Sequence, residues 1–204
     1  KNNQNTKMDY PYGHYKGCPL CGAEKSDICF NENIDFTIGA GFDKCQPAIP
    51  LYNLLEDNTL VFLEGYEVIC FEIDEDVLEV VKKIIIPEGV KFIVNEFFKE
   101  LPNLEEIEFP SSLQEIGDAC FLGCKSLKKV TFHPDSKLKQ ISNSCFALCE
   151  SLERIEIPDS VTHIDFKVFL DCKSLEEVKM PKEIEVIDEA VFLCCHHLKK
   201  LCVP

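Results

Sequence analysis

Basic residues are in short supply: 21 Lys and Arg stand against 36 Asp and Glu, a formal net charge of −15 at pH 7. A polyanion of this kind is repelled by phosphate backbones and anionic bilayers, which removes nucleic acid and charged membrane surfaces from the expected partners. No apolar run comes near the roughly 20 residues that span a bilayer. The nearest, Val80 to Ile86, is interrupted by Lys82 and Lys83. Asn-x-Ser/Thr acceptor sites are absent, which argues against a heavily glycosylated surface. So are His-Glu-x-x-His, Gly-x-Ser-x-Gly and a Walker-type glycine loop, so no metalloprotease, serine hydrolase or phosphate-cradle chemistry is signalled. Gly39-Ala40-Gly41 lacks a third glycine and a strand–helix frame, and reads as a loop.

What the chain does have is repetition. Pro87, Pro110, Pro134, Pro158, Pro181 and Pro204 recur every 23 or 24 residues. Between prolines the same apolar word returns: after Pro158 come Val161, Ile164, Phe169, Cys172, Leu175, Val178 and Met180. After Pro110 come Leu113, Ile116, Phe121, Cys124, Leu127, Val130 and Phe132. Self-similarity at a period in the twenties predicts a solenoid, in which each unit buries its apolar face only by stacking on its neighbours. Hydrophobic residues make up 46% of the 204, enough for a sizeable core in one or two domains.

Within each copy, the x-x-Val-x-Phe pattern before the proline predicts a short strand, and stacking aligns these strands into one parallel sheet. The segment holding Phe121, Phe146, Phe169 and Phe192 is expected to form a turn or short helix on the return side. Residues 75–86 form a degenerate first unit: Val81, Ile84 and Ile86 precede Pro87 as Leu104, Ile107 and Phe109 precede Pro110. Residues 1–74 are expected to form a distinct N-terminal region, loop-rich and cysteine-bearing, with Leu60–Leu63 and Glu67–Ile73 as a hairpin. At the other end the final strand has no polar cap, and Pro204 stands where another repeat would begin. The expectation is a fragment of a longer array; end-to-end pairing is opposed by repulsion between acidic molecules.

The word Phe-x-x-Cys-x-x-Leu-x-x-Val/Ile-x-Phe/Ile-Pro, written clearly from Phe121 and again from Phe146, Phe169 and Phe192, resembles the BspA-like leucine-rich repeats. The resemblance covers residues 75–204, and a single insertion around Asp135-Ser136-Lys137-Leu138 is a variation that family allows. It implies an α/β leucine-rich-repeat solenoid with a parallel sheet on its concave face, serving as a protein-binding or adhesion module. It further implies a cell-surface or secreted setting, though a cytoplasmic one stays open. The repeat from Pro87 departs from the pattern, with Leu101 where the others have cysteine.

Ten of the thirteen cysteines fall into two groups. Cys124, Cys149, Cys172 and Cys195 form one column of the repeat, with Cys120 and Cys145 in an adjacent apolar slot. One thiol per repeat with no histidine beside it reads as a packing residue with a weak donor near backbone carbonyls, rather than a zinc ladder. Cys18-Pro19-Leu20-Cys21-Gly22 is different: a knuckle that points two thiolates at one metal. Three readings are open for it: one structural zinc shared by Cys18, Cys21, Cys29 and Cys45, disulfides, or free thiols. His14 is a spare ligand. A metal- or redox-linked regulatory domain built on Cys18 and Cys21 is the alternative to a binding module.

The outward strand positions carry the binding expectation. Lys82-Lys83, Glu105-Glu106, Lys128-Lys129, Glu153-Arg154, Glu176-Glu177 and Lys199-Lys200 alternate in sign along most of the stack. Neighbours one strand apart attract, so the alternation sets register and also leaves a mixed-charge concave surface. Glu106, Glu108, Lys129, Thr131, Arg154, Glu156, Glu177 and Lys179 are predicted to point outward there and to meet a protein ligand of unknown identity. No catalytic residues are predicted, and the oligomeric state is open. His163, His196 and His197 fall at variable repeat positions, as surface substitutions do.

Overall fold

Period-two alternation of apolar and charged residues ahead of each repeat proline is realised as strands with one buried face. The computed structural model describes residues 52–70 and 73–202, all within one unit, Leu51–Pro204. Tyr52–Leu54 (β1) lies antiparallel to Thr59–Phe62 (β2), and Val68–Ile69 forms β3. Glu75–Val80 (α1) is a six-residue helix before Lys83–Ile85 (β4) and Phe92–Ile93 (β5). From there each coil contributes two strands. Glu106–Phe109 (β6), Lys129–Phe132 (β8), Arg154–Glu156 (β10), Glu177–Lys179 (β12) and Lys200–Cys202 (β14) continue the concave sheet. Glu115–Ile116 (β7), Gln140–Ile141 (β9), His163–Ile164 (β11) and Val186–Ile187 (β13) build a second, lateral set.

Stacking is in register: Lys83 opposes Glu106, Ile84 opposes Ile107, and Ile107 opposes Val130. The inward residues Leu60, Ile84, Ile107, Ile155 and Val178 are all buried. Phe98, Phe121, Phe146, Phe169 and Phe192 stack in a column at centroid spacings of 5.3, 5.4, 5.9 and 5.6 Å. The α/β solenoid with a parallel concave sheet is therefore formed, with little helix.

One expectation is corrected. The hairpin between Leu60–Leu63 and Glu67–Ile73 does not form. Thr59–Phe62 pairs instead with β1 on one side and, in parallel, with β4 on the other, while β3 pairs in parallel with β5. The cause is the stack itself, which offers Val68 and Ile69 a lateral strand one coil away. The ladders of both sheets therefore begin within residues 52–69. Of the turn or short helix expected on the return side, the turn is what forms: a run of turns with left-handed residues at two fixed positions. Glu96, Ala119, Ser144, Lys167 and Ala190 occupy one, at φ 53° to 59°; Glu100, Gly123, Leu148, Asp171 and Cys194 occupy the other. A left-handed non-glycine residue costs roughly 1–2 kcal/mol. The return is that alternate N–H groups point at the next coil: Glu96 N–H donates to Asp118 O (2.9 Å), Phe98 to Cys120 O (3.0 Å) and Glu100 to Leu122 O (2.7 Å).

One seam interrupts the stack. Four positions separate Phe109 from Leu113 but six separate Phe132 from Leu138, so one coil is two residues longer. Both sheets break there: β8 is not paired with β10, nor β7 with β9. In the neighbouring coils Glu105 N–H bonds Lys82 O and Gln114 N–H bonds Lys91 O, but the equivalent bonds from Glu153 and Lys139 are missing among the described residues. The return side crosses the seam intact, through Ala119 N–H to Asn143 O (2.8 Å) and Phe121 N–H to Cys145 O (2.9 Å).

Candidate functional site

The concave sheet presents two outward columns. One runs Lys83, Glu106, Lys129, Arg154, Glu177, Lys200; the other runs Ile85, Glu108, Thr131, Glu156, Lys179, Cys202. All eight residues anticipated from the repeat occupy these columns, with Ile107, Val130, Ile155 and Val178 buried between them. The same columns extend to residues not anticipated as contacts: Lys83 and Ile85 at one end, Lys200 and Cys202 at the other. Strand periodicity alone points to them, because each repeats the position of a neighbour 23 residues away.

Opposite signs meet along the stack. Lys83 reaches Glu108 at 2.6 Å and Glu106 at 3.9 Å, Lys129 reaches Glu106 at 3.5 Å, and Lys200 reaches Glu177 at 2.5 Å. Lys179 pairs with Glu156. Beside them, Lys128 binds Glu105 at 2.7 Å and Lys199 binds Glu176 at 2.8 Å. Hydrogen bonds from Lys128, Lys199 and Lys200 hold the Glu105, Glu176 and Glu177 carboxyls below their usual range, and Glu108 lifts Lys83. These pairs lie in solvent, where screening leaves them little to contribute to stability. Their effect is to fix register and to present charges that are already compensated.

The repeat cysteines serve the backbone. Cys124, Cys149, Cys172 and Cys195 each donate Sγ–H to the carbonyl of the phenylalanine one coil back: Phe98 (3.0 Å), Phe121 (3.4 Å), Phe146 (3.2 Å) and Phe169 (2.9 Å). Burial pushes the Cys124 thiol up to about 12 and raises Cys120, Cys145 and Cys149 as well, so these thiols stay protonated and are poor nucleophiles. Cys195 at the last coil differs in being only partly buried. Leu101 takes the cysteine slot in the first full repeat and is buried there. Among the described residues no three His, Cys, Asp or Glu side chains are placed to hold a metal. Cys18, Cys21, Cys29, Cys45 and His14, which carry the zinc and redox expectations, lie outside the described residues.

His163 Nδ1 lies 2.8 Å from Thr162 Oγ1, and His197 Nδ1 lies 2.6 Å from Lys173 O. Each has a partner within the coil stack. Among the described residues no helix is long and apolar enough to cross a membrane.

The BspA-type leucine rich repeat region matches residues 78–203 in six copies. Among solved structures, the chain is similar to a leucine rich cell surface protein of Faecalibacterium prausnitzii, at a TM-score of 0.58 and 25% identity, over 77% of this chain and 39% of that one. A leucine-rich repeat protein of Bacteroides ovatus gives a TM-score of 0.49 at 27% identity, over 59% of this chain and 37% of that one. The leucine rich repeat protein of T. pallidum gives 0.48 at 20% identity, over 74% and 78%. The chain thus spans well under two thirds of the F. prausnitzii protein, 39% of its length. No curated protein matches it in sequence.

Proposed function

We propose, for a chain that belongs to the BspA-type leucine-rich repeat family, a non-catalytic role: it binds a protein ligand across its concave sheet. One observation carries the reading. The two outward columns hold five cations (Lys83, Lys129, Arg154, Lys179, Lys200) and four anions (Glu106, Glu108, Glu156, Glu177), on a chain whose formal net charge is −15. The acid excess is therefore carried elsewhere, and the concave sheet is the region a neutral or acidic protein approaches without repulsion. A rigid, extended sheet of this sort is also the surface that solenoids commonly use to hold partners. An adhesive role at the cell surface or in secreted form accords with the F. prausnitzii relative, which is described as a cell surface protein.

The test is a random peptide library displayed on phage and selected on the chain. Binding of the selected peptides is then measured to two charge-reversed variants. Glu108→Lys with Lys179→Glu alters the concave face, and Lys99→Glu alters the return side. Loss confined to the concave variant is expected. Loss confined to the return-side variant, or loss in neither, would overturn the reading.

A further inference from the structure

The first outward column runs positive, negative, positive, then positive, negative, positive: Lys83, Glu106, Lys129, Arg154, Glu177, Lys200. The single like-charged step, Lys129 to Arg154, falls at the seam, where the backbone ladder of the concave sheet is interrupted. Four of the five outward cations are already engaged by carboxylates. Lys83 is held by Glu108 (2.6 Å), Lys129 by Glu106 (3.5 Å), Lys200 by Glu177 (2.5 Å) and Lys179 by Glu156. Arg154 is the exception. It is exposed, and among the described residues it makes no hydrogen bond or ion pair. The carboxylates that feel its charge, Glu176 and Glu177, are bound by Lys199 and Lys200.

An arginine with all five donors open, midway along the first outward column, is among the described residues the one cation of these two columns that can take a carboxylate without first breaking an internal pair. A planar carboxylate satisfies the guanidinium fork bidentately. Glu153, its chain neighbour, sits in the flanking column, one position before β10. We propose that Arg154 is the anchor of the concave face, receiving an Asp or Glu side chain of an extended protein segment. This rests on the concave reading above and adds the chemistry of the partner.

The test uses the full chain and the selected phage peptides, synthesised with a fluorescein label and titrated by fluorescence anisotropy. The inference expects the peptides to share an acidic position. Replacing that residue by its amide should weaken binding at least tenfold, as should Arg154→Ala, and the two changes together should weaken it no further than either alone. Arg154→Lys keeps the charge but not the fork, and should fall between wild type and Arg154→Ala. A fresh selection on Arg154→Glu should return basic peptides. Because Arg154 is exposed, circular dichroism of the variants should match the parent. Peptides that depend on Glu108 and Lys179 but not on Arg154, or that lack an acid, overturn the anchor and leave the concave reading standing. Peptides indifferent to every concave change overturn both, as does a selection that returns no binder.

Discussion

Truncating Phe146 to alanine tests the stacked core directly. Phe146 is fully buried, with Phe121 on one side at 5.4 Å and Phe169 on the other at 5.9 Å, both rings nearly parallel to it. Removal of a buried phenylalanine costs about 3–5 kcal/mol, depending on how far the surroundings collapse into the hole. Collapse is obstructed here. The neighbouring coils are held at fixed spacing by Phe121 N–H to Cys145 O (2.9 Å) and Phe146 N–H to Val168 O (3.0 Å). Two aromatic contacts disappear as well, each worth about 0.5–1.5 kcal/mol beyond area burial. The upper part of the range, about 4–5 kcal/mol, is therefore expected. At about 2–4 °C per kcal/mol for a chain of this length, the melting temperature should fall by about 8–20 °C. Phe192 is the internal control: it is half-buried and stacks on Phe169 alone, so Phe192→Ala should cost at most half as much. Urea unfolding followed by circular dichroism reads both, with a broader transition in Phe146→Ala because each coil contacts only its neighbours. A loss under about 1 kcal/mol, or equal losses at the two positions, would refute the reasoning.

Cys149→Ala removes the donor to the Phe121 carbonyl and should cost about 1–3 kcal/mol, with Cys149→Ser losing less because a hydroxyl still donates; equal losses would mean the thiol is only filler. Burial, and then the charge of Asp118, raise the Glu115 carboxyl, so its neutral form favours the fold. Its contribution is complete below the unfolded value of about 4.3 and is lost as pH rises through the raised folded value. Glu115→Gln should therefore stabilise the chain at pH 7 and not at pH 3; a variant unchanged at pH 7 would contradict the burial argument. Hydrogen exchange should be faster at the amides of Lys139, Ser142, Glu153 and Arg154 than at Glu105, Gly117 and Glu176, whose N–H groups bond the previous coil; uniform protection would close the seam. For the N-terminal cysteines we propose one zinc per chain on Cys18, Cys21, Cys29 and Cys45, to be read by native mass spectrometry; a metal-free mass with disulfides would sink it.

Position in the repeat was readable wherever a side chain is buried, because burial leaves the same apolar type at the same slot. Phe121, Phe146 and Phe169 recur for that reason and stack as the period implies. The cysteine column was readable as packing, but not as a donor to one particular carbonyl, since that depends on where the turn places Phe98 O and Phe121 O. The left-handed turn residues were not readable. Ala119, Leu148 and Ala190 carry none of the glycine or asparagine signature that usually marks positive φ. Ala119 and Leu148 donate N–H to the next coil, at Asn143 O (2.8 Å) and Leu170 O (2.7 Å), a tertiary role with no local trace.

The seam shows why the outward face resists the same treatment. Alternating signs along most of the stack suggested a charge ladder, and five of its steps are indeed ion pairs. Exposed pairs of this kind are too weak to hold strands together against a longer loop. Two extra residues between Phe132 and Leu138 are enough to interrupt both sheets, while the buried phenylalanine stack passes through undisturbed. Burial and the return-side hydrogen bonds therefore hold the solenoid together, and the outward residues are free to serve something else. In that light Arg154, the outward cation with no carboxylate of its own, is where a partner has most to gain.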